Sequence, residues 1–414
     1  MSRWFMASMG TALQLCLGTV YAWSYFLNPL TQAYGWSNTQ VAWVFSTTIV
    51  FLSLGAALGG AKLPTYGPRT LAVLGSLLFA SGYMLGALAL YFKSLGLLYL
   101  GYGVIGGTGI GLAYVTPVAT VAKWFPDKKG LATGMVIMGF GLGAMIMSKV
   151  IAPLLLKMFD NNMPLVFAIL GLSFLLLTSP IAWTLQSPPE TLAQPDPAKP
   201  DGPSPATVAE PSLLKTVLLT RQFAMMWLVM FCNTVAGIMF ISFQSPMIQE
   251  LWHRLDPGLS AQKLASYGAT LIAVSALCNG LGRFAWGSLS DHLGCVRVFQ
   301  IMLATQLGAF LLLGFVESPW LFGLGVCYVL LCYGGGFGTL PSFVSNAFGA
   351  KMMAGAYGAM LSTWGAAGVV GPQVVAYLRD HHPDNASAHA FKIGAAFLAI
   401  GLAVCSGRRP SDRR

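Results

Sequence analysis

One arginine stands inside an almost wholly apolar stretch, ALCNGLGRFAWGSLSDHLG, at residues 276–294. Arg283 has no acidic residue among the seven positions on either side, and the first carboxylate that follows it is Asp291. A planar guanidinium can bind a carboxylate through two parallel hydrogen bonds. We therefore expect the counter-ion of Arg283 to be a small carboxylate that the protein binds, with a structural ion pair or contact with water as the alternatives.

The composition places this arginine in a membrane. Of the 414 residues 56% are hydrophobic and 9% are charged, whereas soluble domains carry about 25% charged residues. Apolar stretches of about 20 residues recur along the chain, as transmembrane helices require. The sequence predicts an all-α membrane protein with twelve transmembrane helices, near residues 5–27, 38–61, 70–91, 95–121, 131–156, 164–185, 222–249, 264–287, 296–315, 319–345, 353–378 and 388–406.

The predicted helices fall into two groups of six. A six-helix bundle over residues 1–186 is followed by a linker, 187–215, that is rich in Pro, Asp and Ala, and by a second six-helix bundle over 216–414. A segment of this composition cannot bury enough apolar area to fold alone. None of the 13 acidic residues falls inside a predicted span, and an uncompensated cation at membrane depth indicates function.

The positive charges predict the orientation of the chain. The net charge is +10, and most Lys and Arg fall in segments that alternate onto one side of the membrane, which is typical of cytoplasmic loops. Both termini are therefore expected in the cytoplasm and the protein in the plasma membrane, the inner membrane of a bacterial cell. We attribute the excess of basic residues to membrane topology and not to nucleic-acid binding.

The two halves carry similar interruptions. Phe26 with Pro29 in the first helix matches Phe243 with Pro246 in the seventh. The fourth and tenth helices contain the glycine-rich runs GGTGIGLAYVTP and GGGFGTLP. Interruptions at corresponding positions indicate a central transport site, although glycines also allow close packing of helices. We interpret the paired runs as markers of a central cavity.

The loop after the eighth helix, GSLSDHLGCVR, carries Asp291 and Arg297, and the loop after the second, GGAKLPTYGPRT, keeps Arg69 without an acid. The first of these resembles the loop signature of the major facilitator superfamily, and the second a degenerate copy of it. The resemblance implies that Asp291 and Arg297 hold neighbouring helix ends together when that side of the protein is closed.

Within that superfamily the chain resembles the oxalate/formate antiporter family and its bacterial monocarboxylate-transporter relatives along nearly its whole length. The similar stretches are VYAWSYFLNPL, AKWFPDKKGLATG, NGLGRFAWGSLSD and YGGGFGTLPS. The resemblance implies a major facilitator fold of two pseudo-symmetric bundles and transport by alternating access. It also identifies Arg283 with the carboxylate-binding arginine of the family.

Two departures from the family's pattern bear on the substrate. Trp364 stands where oxalate-specific members carry a lysine, so one cation faces the substrate, and a dicarboxylate would leave a net negative charge in a low dielectric. This favours a monocarboxylate such as lactate, pyruvate, acetate or formate. Asn279, one turn before Arg283, stands where animal monocarboxylate transporters have an aspartate, and an amide cannot titrate. The proton therefore travels with the substrate, or the protein exchanges anions.

Aromatic residues complete the candidate site. Tyr333 and Phe337 are four residues apart on the tenth helix, and the resemblance implies that Tyr21, Tyr114 and Phe140 also line the cavity. Aromatic rings exclude water, and tyrosine hydroxyls can donate to a carboxylate. For a single aromatic residue, core packing is the equal alternative.

Other polar residues carry weaker signals. Lys149 is expected to extend toward the outer surface, or else to attract anions to it. His381, His382 and His389 are expected in a solvated outer loop, and we predict no metal site. The seven cysteines show no paired spacing and are interpreted as membrane-buried side chains.

These observations predict a secondary transporter of small monocarboxylates, coupled to protons by symport and acting as a monomer in the lipid bilayer. Anion exchange of the oxalate/formate type is the alternative, and a transporter-like membrane receptor is a third possibility. No cofactor is expected. No catalytic group of the kind that enzymes use falls within the predicted spans, so we do not expect an enzyme.

Overall fold

The computed structural model describes residues 2–125, 129–188, 216–349 and 353–407, and its regular structure is entirely helical. Eleven helices in this part of the chain are long and apolar enough to cross a membrane. They are α1 (Arg3–Tyr34), α2 (Asn38–Leu63), α3 (Thr65–Tyr91), α4 (Leu95–Trp124), α5 (Ala132–Met158), α6 (Met163–Thr184), α7 (Arg221–Leu255), α8 (Ala261–Leu293), α9 (Cys295–Leu313), α10 (Pro319–Phe348) and α12 (Ala386–Ser406).

The remaining helix, α11, is divided into Met353–Met360 and Ser362–His381. Helices α1–α6 pack against one another as one bundle and α7–α12 as another, and the bundles meet where α5 contacts α8, α2 contacts α11 and α1 contacts α7. The predicted all-α fold of two six-helix bundles is confirmed. The predicted linker and the arginines after residue 407 lie almost wholly outside the described residues.

Two glycines at equivalent places in the repeat turn the chain between helices. Gly67 lies in the first turn of α3, at the kink that follows α2, with φ 74° and ψ 164°, and Gly294 separates α8 from α9 with φ 82° and ψ 145°. Residues with a Cβ rarely adopt a positive φ. The loop that resembles the superfamily signature and its degenerate copy therefore share one backbone conformation, although only the second contains an acid.

Irregular turns bring the centre of the molecule together. Helix α1 is interrupted by a 3₁₀ turn, Gly18–Ala22, which contains Tyr21. A Cβ on Gly18 would lie 1.9 Å from the carbonyl oxygen of Phe140, so only glycine permits this contact between α1 and α5. The close approach places Tyr21 and Phe140 side by side.

Several helices extend beyond the ends predicted from the apolar stretches. The prediction ends α7 at residue 249 and α8 at residue 287, whereas they continue to Leu255 and Leu293. Apolarity reports where a membrane ends, but a helix ends where its hydrogen bonding does. Glu250 and Asp291 therefore belong to helices rather than to loops, just beyond the predicted ends of their apolar spans.

Candidate functional site

Arg283 lies in the middle of the protein on α8 with only 4% of its surface exposed. Its Nε, Nη1 and Nη2 atoms are buried and form no hydrogen bond of good geometry with a described residue, although the phenol of Tyr114 lies within hydrogen-bonding reach of the guanidinium. The phenols of Tyr114, Tyr21, Tyr333 and Tyr357 interact electrostatically with the guanidinium. Burial of a cation without an acidic partner is costly, so Arg283 is a candidate binding site for an anion.

Glycines of α10 set the position of Arg283. A Cβ on Gly338 would lie 2.1 Å from the carbonyl oxygen of Arg283, and one on Gly334 would lie 2.0 Å from that of Asn279. The glycine run therefore serves backbone packing between α8 and α10. These glycines hold the arginine-bearing helix beside the candidate site, and the interpretation of the paired runs as markers of a central cavity stays a prediction.

Asn279 lies one helical turn from Arg283 and is 1% exposed. Its Oδ1 atom is buried and has no hydrogen-bond partner within the described ranges. Among the described residues, the side-chain amide of Asn279 forms no hydrogen bond with the guanidinium of Arg283. Asn279 therefore borders the site without neutralising it.

The aromatic residues proposed from the sequence form one connected cluster. The ring centroids of Tyr21 and Tyr114 each lie 5.1 Å from that of Phe140. Phe337 lies 5.2 Å from Tyr333, and the guanidinium carbon of Arg283 lies 5.4 Å from the Phe337 ring. The cluster thus joins residues of α1, α4 and α5 to residues of α10 and to the arginine of α8.

Trp364 of α11 holds the two sides of this cluster together. Its ring lies 5.5 Å from Tyr114 and 5.9 Å from Phe140 in the first half, and 5.1 Å from Phe337 in the second. The side chain is fully buried, and its Nε1 atom has no hydrogen-bond partner in the described part of the chain. An indole N–H can only donate, so it is a second donor beside the arginine.

A hydrogen bond between hydroxyl groups crosses from one half to the other at the centre. The Oη atoms of Tyr21 and Tyr333 lie 2.7 Å apart, and both side chains are buried. One hydroxyl donates and the other accepts. The acceptor keeps its own hydrogen available for a carboxylate.

The comparisons with known proteins give the family. The model of the Major Facilitator Superfamily matches residues 7–372, which is most of the chain. The chain belongs to the Major Facilitator Superfamily. It is therefore a secondary transporter and not an enzyme.

Three relatives of this facilitator carry informative names. Apicoplast pyruvate carrier 1 of Toxoplasma gondii is 29% identical over 77% of this chain, and the match spans 65% of the carrier's length. The oxalate:formate antiporter of Oxalobacter formigenes is 26% identical, covering 97% of this chain and 91% of the antiporter. Human monocarboxylate transporter 11 is 27% identical, covering 98% and 81%.

Solved structures show the same fold. A bacterial homolog of the human lysosomal transporter Spinster, inward-facing and unoccupied, superimposes with a TM-score of 0.70 over 97% of this chain and 96% of that chain at 17% identity. A point mutant of the nucleoside transporter NupG also gives 0.70, covering 97% and 98% at 12% identity. At these identities the similarity concerns the fold of this facilitator alone.

The two halves of the facilitator are joined at the end of the bundle opposite the two termini, which we call the distal end. Here the amide of Asn28 donates to Gln249 Oε1 at 3.3 Å, and that of Gln373 donates to Ser46 Oγ at 3.2 Å. The distal end of the protein is therefore closed in this structure.

Asp291 and Arg297, proposed to hold helix ends together, are both exposed near the terminal end. Asp291 is in the last turn of α8 and Arg297 is in the first turn of α9, on either side of Gly294. Neither forms an ion pair with another described residue. The role of Asp291 and Arg297 in holding helix ends together stays a prediction.

Lys149 reaches across the interface instead of toward the outer surface, because its Nζ atom contacts Thr270 Oγ1 of α8. His381 stacks on Tyr377 with ring centroids 4.2 Å apart, and His382 lies 6.1 Å from His389. No group of three or more potential metal ligands is present in the described residues. These side chains stabilise the distal end.

The sequence analysis did not predict two buried hydrogen-bonded pairs within the second half, each of which includes a side-chain amide. The Nε2 atom of Gln306 donates to Asn233 Oδ1 at 2.8 Å, and the hydroxyl of Ser275 lies 2.7 Å from Gln244 Oε1. All four side chains are buried. Their polar character inside apolar helices was the signal that could have found them. These side chains join α7 to α8 and to α9 and do not face Arg283.

Proposed function

We propose that this facilitator carries small monocarboxylates of the lactate and pyruvate class and that the substrate carboxylate neutralises Arg283. The observation that carries the proposal is the buried guanidinium, whose nitrogens have no acidic partner and form no hydrogen bond of good geometry among the described residues. A carboxylate can accept two of its hydrogen bonds in parallel. The indole of Trp364 and the hydroxyls of Tyr21 and Tyr333 supply further donors, and Tyr114, Phe140 and Phe337 exclude water.

The charge balance favours one carboxylate over two. Arg283 is the cation that faces the aromatic cluster, and Trp364 is packed where a second headgroup would need a positive partner. A dicarboxylate would bring a second anion into a site of low dielectric without a counter-charge. A single carboxylate with a short apolar or hydroxylated tail matches the aromatic walls.

The relatives support the same substrate class. Their names refer to pyruvate, to oxalate and formate, and to monocarboxylates. All these substrates are small carboxylates, and they differ in the number of carboxylate groups and in how transport is coupled. The single cation of the candidate site bears on the number of carboxylate groups.

Proton symport is the leading form of coupling. Asn279 cannot titrate, and the groups that surround Arg283 are phenols and an indole, which do not exchange protons near neutral pH. In this scheme the proton crosses together with the substrate carboxylate. Anion exchange is the second candidate, because the oxalate:formate antiporter aligns with 97% of this chain.

Uptake into proteoliposomes distinguishes proton symport from anion exchange. Radiolabelled lactate and pyruvate are expected to accumulate when an inward proton gradient is imposed, and an excess of unlabelled oxalate is expected to compete poorly. Arg254→Ala, which removes an exposed arginine at the distal end, serves as the control for Arg283→Ala. Uptake that ignores the proton gradient but requires a trapped internal anion would establish exchange instead, and efficient inhibition by oxalate would contradict the charge argument.

Several further properties belong to the same proposal. We assign residues 1–186 and 216–414 as the two rocking halves and 187–215 as the linker between them. Asp291 and Arg297 engage when the terminal end closes. The protein works as a monomer in the plasma membrane, the inner membrane of a bacterial cell, with both termini in the cytoplasm.

A further inference from the structure

The N-terminus of α2 is capped by a carboxylate from the other half of the protein. Asp380 Oδ1 accepts from the backbone nitrogen and the side-chain amide of Asn38, each at 3.0 Å. Asp380 Oδ2 accepts from the backbone nitrogen of Thr39 at 2.8 Å. One side chain of α11 thus makes three hydrogen bonds to the first turn of α2.

These bonds complete the capping of α2. The first four N–H groups of a helix have no partner within it. The hydroxyl of Ser37 accepts from the amide of Gln40, and Gln40 Oε1 accepts from the amide of Ser37. The amides of Asn38 and Thr39 are satisfied by Asp380. Half of the N-terminal cap of α2 therefore exists only while the two halves touch.

We propose that Asp380 is a latch that holds the distal end closed and must be released for that end to open. The inference rests on the proposed transport cycle, in which the halves separate at one end and then at the other. A carboxylate at a helix N-terminus is favoured by the helix dipole and by charge-assisted hydrogen bonds. Opening exposes both partners to water, so the latch biases the cycle toward the distal-closed state.

The latch shares a helix with the candidate site. Trp364 lies sixteen residues before Asp380 on α11, a separation of about 24 Å along the helix. Pro372 lies between them. A displacement of Trp364 by the substrate is therefore transmitted along one helix to the contact that keeps the distal end closed.

Thiol labelling behind the latch tests the proposal without any substrate. Ser46 is buried on α2 and bonded to Gln373, so the side chain of Ser46→Cys is accessible from the distal side only when that end opens. The reaction of this variant with a bulky polyethylene-glycol maleimide is followed in purified protein, and the chain without the new cysteine gives the background. We expect Asp380→Ala to accelerate labelling by about tenfold, because a factor of ten corresponds to about 1.4 kcal/mol, which is close to the contribution of one hydrogen bond to a charged group.

Two further variants make the result decisive. Asn38→Pro removes the backbone and side-chain donors at the first helical position, where proline is well tolerated, and we expect it to accelerate labelling as well. Asp256→Asn removes the same charge from an exposed position at the same end, where Asp256 bonds only its own turn, and we expect no acceleration.

Labelling rates of Asp380→Ala and Asn38→Pro equal to that of the parent would overturn the latch. If Asp380→Ala does not fold, Asn38→Pro decides. Because no carboxylate is used, failure of the latch is distinguishable from failure of the substrate assignment.

Discussion

The hydroxyl groups of Tyr21 and Tyr333 lie 2.7 Å apart and join the two halves of the protein at its centre. Tyr21 belongs to the 3₁₀ turn of α1 and Tyr333 to the glycine-rich part of α10. Both phenols interact electrostatically with Arg283. A carboxylate bound to Arg283 would compete for the hydrogen bond between them, so the substrate and the closure of the centre use the same groups.

Replacing either hydroxyl tests this competition. We expect Tyr21→Phe and Tyr333→Phe each to weaken carboxylate binding by about tenfold, since a hydrogen bond to a charged group contributes about 1.5–3 kcal/mol. The double variant is expected to lose less than the product of the two, because the hydroxyls form a pair. Competition binding with labelled pyruvate measures all three, and full additivity would argue against a shared role.

Removing Arg283 separates its role in binding from its effect on stability. We expect Arg283→Met to abolish carboxylate binding and, at the same time, to raise the melting temperature of the substrate-free protein, because a buried charge without a partner costs several kcal/mol. Arg254→Met, at an exposed arginine, is expected to change neither. Retention of wild-type affinity by Arg283→Met would refute the site, and a lower melting temperature would mean that the guanidinium has a partner in the folded protein.

The substrate range depends on Trp364. We expect Trp364→Phe to keep the choice of monocarboxylates but to weaken binding a few-fold, because the aromatic wall remains while the indole donor is lost. Trp364→Lys introduces a second cation and is expected to admit oxalate. A binding screen across short mono- and dicarboxylates compares both variants with the parent chain. If Trp364→Lys binds no dicarboxylate, the charge-count argument for one carboxylate is weakened.

The glycines of α10 are expected to be intolerant of side chains. Gly334→Ala would place a methyl group 2.0 Å from the backbone oxygen of Asn279, so we expect it to lower the melting temperature and to displace α8 from the site. Gly308→Ala is the matched control, because nothing lies within 4 Å of its would-be Cβ and alanine favours a helix interior by about 1 kcal/mol. Thermal unfolding of the two variants should therefore shift in opposite directions, and equal shifts would contradict the close crossing.

The latch at Asp380 is not expected to respond to pH in the physiological range. Burial opposes ionisation of this carboxyl, which lies beyond the predicted end of its transmembrane segment, but hydrogen bonds from Thr39 and Asn38 outweigh that effect and lower its pKa. A carboxyl whose pKa is lowered in the closed state stabilises that state at every pH above its ordinary pKa of about 3.9. This stabilisation is lost only as the pH falls through the lowered pKa.

The ratio of uptake rates of wild type and Asp380→Asn is therefore expected to stay constant from about pH 5.5 to pH 8. Proteoliposome uptake across this interval measures the ratio. A ratio that changes with pH would show that Asp380 titrates there and takes part in proton coupling.

The sequence by itself determined the multi-pass helical character, the two-bundle fold and the exceptional residue Arg283. Long apolar stretches, glycine and proline interruptions and an isolated charge are local properties of the sequence. In a bilayer an apolar stretch of sufficient length forms a transmembrane helix, and a charge within it is costly to bury. The predicted helix ends were less accurate, as Glu250 and Asp291 show, because apolarity marks the membrane and not the last hydrogen bond of a helix.

The tertiary structure alone decided how distant residues meet. It gathered six aromatic residues from five helices into one cluster, packed Gly334 and Gly338 against the backbone of α8, and brought Asp380 to the first turn of α2 more than 300 residues away. Each of these contacts depends on how helices cross in three dimensions, and no period or composition within a single segment encodes the crossing.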